Sequence, residues 1–236
     1  PMRDLGWICT NSWRFGSHLP VGGFGTYDDL FAGYEAESGF KVDPDHVKYW
    51  EVFGSFWWAI GCLGMAEHYR TGPDQSVERP AIGRRTSECQ VDCVNLLIPG
   101  AVEQLEPMPG LGFDMPSQQE LVQSVRDYLR EDAMKNLQGR SQFLARVAGN
   151  SLDVVLRELA LGGQHQSLEA DRLRHYYGST APLGDLRAQL SHDLRTGKIP
   201  LSDATIQQHL RSTVVNQIAI DQPNYSGFKR AIGSPS

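Results

Sequence analysis

The chain lacks most of the features that place a protein in a simple class. Its 236 residues hold four cysteines, Cys9, Cys62, Cys89 and Cys93, too few for a disulfide framework at this length. Cys89 and Cys93 stand four apart on an expected helix, but no second ligand pair and no histidine motif accompanies them, so reduced thiols are expected rather than a metal. The longest stretch free of charge is VFGSFWWAIGCLGMA, residues 52–66. It is shorter than the roughly 20 residues needed to cross a bilayer and reads as a buried helix. Positive charge is also scarce: the net charge of −6 leaves no basic footprint for nucleic acid. No signal peptide is evident, which points to the cytoplasm. The opening PMRDLGW runs straight into apolar helical sequence, as an excised piece would, so an upstream segment is expected.

Self-sufficient catalytic groupings are lacking too. The histidines at 18, 46, 68, 165, 175, 192 and 209 are scattered, with none paired at metal-binding spacing, and no Ser or Cys has a nucleophile context. His192-Asp193 reads as part of a solvated helix face. The stretch LPVGGFGTYDDL, residues 19–30, looks at first like a phosphate loop. Such a loop needs a preceding strand, a lysine and a helix N-terminus left free for the anion. No apolar strand precedes this one, and the first lysine is Lys41. Asp28 and Asp29 occupy the helix start, where they satisfy the dipole and would repel phosphate. The stretch is therefore expected to be a tight turn whose glycines allow positive φ and close approach.

What is present is strongly divided. All five tryptophans fall before residue 60. Residues 1–99 carry 13 acids and 8 bases, and residues 116–236 carry 12 acids and 14 bases. Between them lies PGAVEQLEPMPGLGFDMP, residues 99–116, rich in proline and glycine and without a basic residue. Such a composition sustains neither helix nor strand. The expected organisation is a helical unit over 1–98, a linker over 99–115, an all-α unit over 116–225, and a disordered tail over 226–236.

Capping chemistry predicts most of the helices. Asp4 is a candidate N-cap for a short one. Thr26 and Asp29 suggest a near capping box for a helix over 27–37. Asp43 followed by Pro44 opens a helix running to about Tyr69. On that helix Gly54, Gly61 and Gly64 predict close contact with a neighbour, beside a face of Trp50, Phe53, Trp57 and Trp58. A further helix spans about 80–97. In the second half Ser117 and Glu120 form a capping box, and helices are expected over about 137–161, stopped by Gly162-Gly163, then 166–177, 183–196 and from Ser202 to Pro223. About five helices with short loops make a bundle, so the fold class is mainly α.

Two polar groupings are candidate sites. In NSWRFG, residues 11–16, Arg14 between Trp13 and Phe15 either offers a guanidinium to an anionic substrate group or snorkels out of an aromatic helix end. Arg146 and Asn150, four apart beside an apolar stripe of Leu144, Val147 and Ala148, either form a polar site inside the bundle or a plain helix-to-helix hydrogen bond.

The series RDLGW, SWRFG, VGGFG, DLFAGYE and WEVFGSFWWAIGC, within residues 1–98, resembles the C-terminal end of aminoglycoside-phosphotransferase-like kinases, in the branch acting near acyl-CoA metabolism. The resemblance implies the helical C-lobe subdomain of a protein-kinase-like fold. In that family it shapes the acceptor pocket, here through Trp13, Arg14, Phe15, Gly23, Phe24 and Trp57, with Asp4 as a helix cap and loop brace. The family's His-Gly-Asp loop, its following Asn and its metal-binding Asp lie ahead of this region, and none of them is in this sequence. ATP and Mg²⁺ are therefore expected to bind the full-length family member and not this chain, which supplies no catalytic residue. The implied partners are the missing N-terminal kinase lobe and a small-molecule or acyl-CoA-linked acceptor; self-association into a homo-oligomer stays open. The segments ELVQSVRDYLRED, FLARVAGNSLDVVLREL and HLRSTVVNQIAIDQPNY resemble a small helical family of uncharacterised domains often encoded beside such kinases. Gln217 and Gln222 stand where that family commonly has Lys and Asn. The resemblance implies a fusion of two neighbouring genes, with an ATP-dependent phosphotransferase as the leading reading and a non-catalytic module that stabilises or lids a kinase as the alternative.

Overall fold

Asp43 begins the longest helix of the first half by the expected chemistry. Its Oδ1 accepts from the backbone N–H groups of Asp45 and His46 at 3.1 and 3.2 Å, with Pro44 at the first helical position. The computed structural model describes residues 1–107 and 116–233. Among the described residues the regular structure is helical apart from one isolated bridge between Val21 and Gly25. The first half contains α1 (Met2–Cys9), one 3₁₀ turn (Asn11–Trp13), α2 (Tyr27–Ser38), α3 (Pro44–Thr71), α4 (Glu78–Arg84) and α5 (Thr86–Leu97). The second contains α6 (Gln118–Tyr128), a π turn (Leu129–Ala133), the one-turn α7 (Met134–Asn136), α8 (Gly139–Tyr177), α9 (Leu183–Arg195), α10 (Ala204–Asp221) and α11 (Ser226–Ala231).

Several boundaries differ from expectation for identifiable reasons. Asp4 does not cap α1: the carbonyl of Pro1 already accepts from the N–H groups of Asp4 and Leu5 at 3.1 and 3.2 Å, so the helix opens earlier. The helix expected over 80–97 is two helices that meet at Arg85, whose N–H bonds to the Ile82 carbonyl at 3.0 Å. Gly162-Gly163 does not stop α8, which runs on to Tyr177 and ends at Gly178 with φ 59°. A glycine inside a helix costs only about 1 kcal/mol relative to alanine, which the flanking turns absorb. Thr26 accepts from the Asp29 N–H at 3.2 Å, and Ser117 and Glu120 form the expected capping box. The last long helix is capped by Asp203, one residue beyond Ser202.

Residues 52–66 are not uniformly buried. Val47, Glu51, Gly54, Ser55 and Cys62 face inward on α3, while Phe53, Phe56, Trp57, Ile60 and Leu63 form an exposed stripe along its other side. No helix among the described residues is long and apolar enough to cross a membrane. Of the three glycines expected to make close contact on α3, only Gly54 does so. A Cβ there would sit 2.5 Å from Thr10 Oγ1, whereas Gly61 meets only its own helix's Trp58 and Gly64 faces open space.

The two halves share a core. Val91 and Val94 of α5 pack with Val215 and Ile218 of α10 and with Phe228 and Ala231 of α11. The expected boundary near residue 98 thus separates two compositions and not two hydrophobic interiors. The tail expected to be disordered from 226 is instead helical through Ala231, because Phe228 is buried in that joint core; 234–236 lie outside the described residues. Of the expected linker, 108–115 also lie outside them. Residues 99–107 form no helix or strand but are tied down: the Gly100 carbonyl accepts from Arg211 Nε at 2.6 Å, the Ala101 carbonyl from Gln208 Nε2 at 2.9 Å, and the Glu106 N–H donates to Gln164 Oε1 at 2.7 Å. A second core, Leu173, Leu186, Leu190, Ile199 and Ile206, holds α8, α9 and α10 together.

Candidate functional site

Close approach of α1 to α3 sets up a cavity lined by several polar side chains. At Gly6 a Cβ would lie 2.5 Å from Trp50 Cβ and 2.6 Å from the Val47 carbonyl, so only glycine permits this crossing. The crossing brings Glu51 beside the chain that leaves α1. There the Arg14 guanidinium folds back, with Nη2 donating to the Cys9 carbonyl at 2.6 Å and to Glu51 Oε1 at 2.8 Å. Tyr27, at the start of α2, donates its hydroxyl to Glu51 Oε2 at 2.9 Å. Both charged side chains are buried, Arg14 at 8% and Glu51 at 4% exposure. A buried carboxylate is tolerated only with a cation and further donors, and Glu51 has both. Burial raises the Glu51 pKa, with Arg14 and the Tyr27 hydroxyl pulling it partly back.

A second buried carboxyl group completes the far wall. Asp92 of α5 accepts from Asn11 Nδ2 at 2.7 Å and from the Tyr225 hydroxyl at 2.7 Å, and Ser226 Oγ donates to Asn11 Oδ1 at 3.3 Å. Burial pushes Asp92 up to about 7, against the pull of the Tyr225 and Asn11 hydrogen bonds. Asn11, Arg14, Tyr27, Glu51, Asp92 and Ser226, with Arg230 of α11, line a cavity of about 610 Å³. Ser55 also lines it, fully buried, its hydroxyl without a hydrogen-bond partner. Chemically the cavity offers one spent and one exposed guanidinium, two buried carboxyl groups and a free hydroxyl, a set suited to hydrogen-bonding a polar ligand and holding a proton near neutrality.

The residues singled out from sequence are dispersed. Arg14 lines this cavity, but its charge is engaged by Glu51, so it neither stands ready for an anion nor snorkels outward. Trp13 packs between Trp7 and Trp58 with ring centroids at 5.4 and 6.1 Å, and Trp57 meets Trp7 edge-on at 5.4 Å. Phe15 is 91% exposed at φ 48°, and Phe24 is 73% exposed. Gly23, at φ 83°, lets the turn close on the Arg14 carbonyl, 2.9 Å from where a Cβ would be. Asp4 is exposed next to Arg3. Arg146 and Asn150 do not form a site inside the bundle: both are exposed, Arg146 stacking over Phe143 at 5.3 Å and Asn150 accepting from Arg130 Nη2 at 3.2 Å. Glu51, Tyr27, Asp92, Tyr225 and Arg230 were not anticipated. The readable signal for two of them was a carboxylate on an apolar stripe, Glu51 after Trp50 and Asp92 between Cys89 and Cys93.

Comparison with known families bears on the second half. Residues 135–225 match the family described as Domain of unknown function (DUF6285). No curated protein and no solved structure matches the chain. The DUF6285 segment covers α8, α9 and α10 and ends on Tyr225, the residue whose hydroxyl reaches Asp92. The wall of the cavity formed by residues 226–233 begins at the next residue.

Proposed function

We propose that residues 1–98 form the acceptor-binding side of a phosphotransferase and that α11, which follows the DUF6285 match, covers it. The observation that carries this reading is the shared cavity: Arg14, Tyr27 and Glu51 come from the first half, and Ser226, Gly227 and Arg230 come from the end of the chain. The acceptor proposed is a hydroxyl-bearing small molecule, with hydroxyacyl-CoA thioesters as the class to test, because a CoA phosphate suits the exposed Arg230 at the rim. Polycationic aminoglycosides suit it less, since they call for an open acidic pocket. The nucleotide and its Mg²⁺ are proposed to be held outside this chain, so no phosphoryl-transfer step is assigned to it, and it is expected neither to bind ATP tightly nor to turn over.

The second reading is a purely stabilising role for the second half, and the joint core of Val91, Val94, Val215, Ile218 and Phe228 favours it. Calorimetric titration of the chain with hydroxyacyl-CoA thioesters and with aminoglycosides separates the two. Under the covering role, Arg230→Ala weakens thioester binding about tenfold, as loss of a charge-assisted contact does, and leaves the unfolding midpoint unchanged. Thioester binding unaffected by Arg230→Ala would leave only the stabilising role. Absence of binding by every acceptor would overturn the acceptor-side assignment, and ATP turnover by the chain would overturn the placement of the nucleotide site outside it.

A further inference from the structure

A second cleft lies inside the DUF6285 segment, remote in sequence from the groups just described. Glu169 and Arg172 on α8 face His209 and Thr213 on α10. Glu169 is answered in full by Arg187 of α9, which donates through Nε at 2.8 Å and Nη2 at 2.5 Å. Arg172 is not answered. Its Nη2 donates to Thr213 Oγ1 at 3.0 Å, its Nε is buried without a partner, and no carboxylate among the described residues lies within ion-pair distance. His209 is 4% exposed, and its Nδ1 also has no partner. Both residues line an open cleft of about 400 Å³ whose other wall is apolar, from Leu173, Tyr176, Ala204 and Ile206.

Arginine only donates hydrogen bonds and stays charged at all ordinary pH. A part-buried guanidinium with unused donors is therefore short of an acceptor, and the acceptor that meets it best is an anion with paired oxygens. The apolar wall adds a second requirement. Inorganic phosphate or sulfate would leave the half-buried Tyr176 and the exposed Ala204 uncovered, whereas a carboxylate with a hydrocarbon body fills both ends. Burial and the nearby Arg172 charge hold His209 down to about 4, so its ring adds a neutral polar edge beside the arginine. The other carboxylate whose field Arg172 feels is Glu103, exposed in the segment 99–107. We propose that this cleft is a binding site for a small aliphatic carboxylate, with Arg172 holding the carboxylate and Tyr176 and Ala204 covering the chain.

The test uses the intact chain titrated with octanoate, octanol and inorganic phosphate, read by calorimetry and by chemical-shift changes at the His209 imidazole and the Arg172 Nε–H. Octanoate is expected to bind saturably below about 10 mM and to move both resonances, with octanol and phosphate failing to saturate. Arg172→Met keeps the aliphatic stem and is expected to weaken octanoate about tenfold or more. If that variant does not fold, Ala204→Trp, at an exposed position on the cleft wall, is expected to block binding by occlusion. Arg174→Ala removes an exposed neighbouring charge and is expected to leave affinity unchanged. Absence of saturable octanoate binding, equal binding by Ala204→Trp, or phosphate binding as tightly as octanoate would overturn the proposal.

Discussion

The Tyr225 hydroxyl donates to Asp92 Oδ2 at 2.7 Å across 133 positions of sequence, tying the last residue of the DUF6285 match to a helix of the first half. Asp92 is 5% exposed, and burial lifts its pKa from the ordinary 3.8 to about 7. The sign of the resulting pH dependence follows directly. Between about pH 4 and pH 7 the folded chain keeps a proton that the unfolded chain has released, so this group makes stability fall as pH rises through that window, by up to about 1.4 kcal/mol per pH unit. Asp92→Asn removes the titration, and urea unfolding across pH 4 to 7 is expected to show a flatter curve for the variant than for the parent. An identical slope in both would place the carboxyl group's pKa at its ordinary value.

Tyr225→Phe removes the donor and leaves the carboxyl group in place. Loss of one donor to a buried acceptor costs about 1–3 kcal/mol, more when the acceptor is charged. The variant is therefore expected to lose more stability at pH 8, where Asp92 is ionised, than at pH 5, where it holds a proton. Equal losses at the two pH values in chemical denaturation would mean that the hydroxyl does not bear on the charge of Asp92.

Arg14 and Glu51 form the most deeply buried ion pair of the first half, at 2.8 Å. Removing one partner strands the other, which costs about 3–5 kcal/mol for buried pairs. Arg14→Met is expected to destabilise the chain by that order at pH 7. Without the guanidinium, the Glu51 pKa moves further up, so acidification neutralises the stranded carboxylate and restores part of the loss. The double variant Arg14→Met/Glu51→Leu is expected to be more stable than Arg14→Met alone. Thermal unfolding of the three chains at pH 5 and pH 7 measures both effects.

The helices were legible in the sequence wherever a short-range device sets them. Thr26, Asp43 with Pro44, and Ser117 with Glu120 act within one turn, and each is found where capping chemistry places it. What failed was reasoning that needed the third dimension. Gly162-Gly163 reads as a stop, but α8 continues through the pair, and Gly162, His165, Glu169 and Leu173 are buried along it. Phe228 sits in a Gly/Ser/Pro-rich end segment, and only the presence of Val91 and Ile218 opposite it makes that segment helical. The candidate site was least legible. Asn11, Asp92 and Tyr225 meet through bonds spanning up to 214 positions, and no local pattern encodes such a meeting. Arg14 was visible as a residue, but its engagement by Glu51 was not.

The thiols offer a solution check on burial. Cys9, Cys62 and Cys89 are buried, and Cys93 is partly so. Burial, with Glu51 adding to it at Cys9 and Asp92 at Cys93, pushes those two thiols up to about 12. Since the thiolate is the reactive form, a chromogenic disulfide reagent at pH 8 is expected to react slowly with Cys9 and Cys93 in the native chain and rapidly with both in denaturant. Rapid stoichiometric reaction of either in the native state would contradict the packing around it.

One substitution made at two glycines should give opposite signs. Gly163 lies in the interior of α8 with nothing within 4 Å of where a Cβ would stand. There Gly→Ala lowers the entropy of the unfolded chain and meets no obstacle, so it is expected to stabilise by about 0.5–1 kcal/mol. At Gly227, the second residue of α11, a Cβ would fall 2.6 Å from Asp92 Oδ1, 2.9 Å from Tyr225 Cε1 and 3.0 Å from Val91 Cγ1. None of these can yield alone: Asp92 and Tyr225 are bonded to each other, and Val91 is in the joint core. Gly227→Ala is expected to cost about 1–3 kcal/mol, the usual penalty of overpacking, as α11 shifts off α5. That shift also widens the cavity beside Asp92, so the Asp92 pKa should fall toward its ordinary value as water reaches it. Denaturation midpoints give the two signs, and the pH dependence of the Gly227→Ala midpoint distinguishes a displaced α11 from a merely strained one.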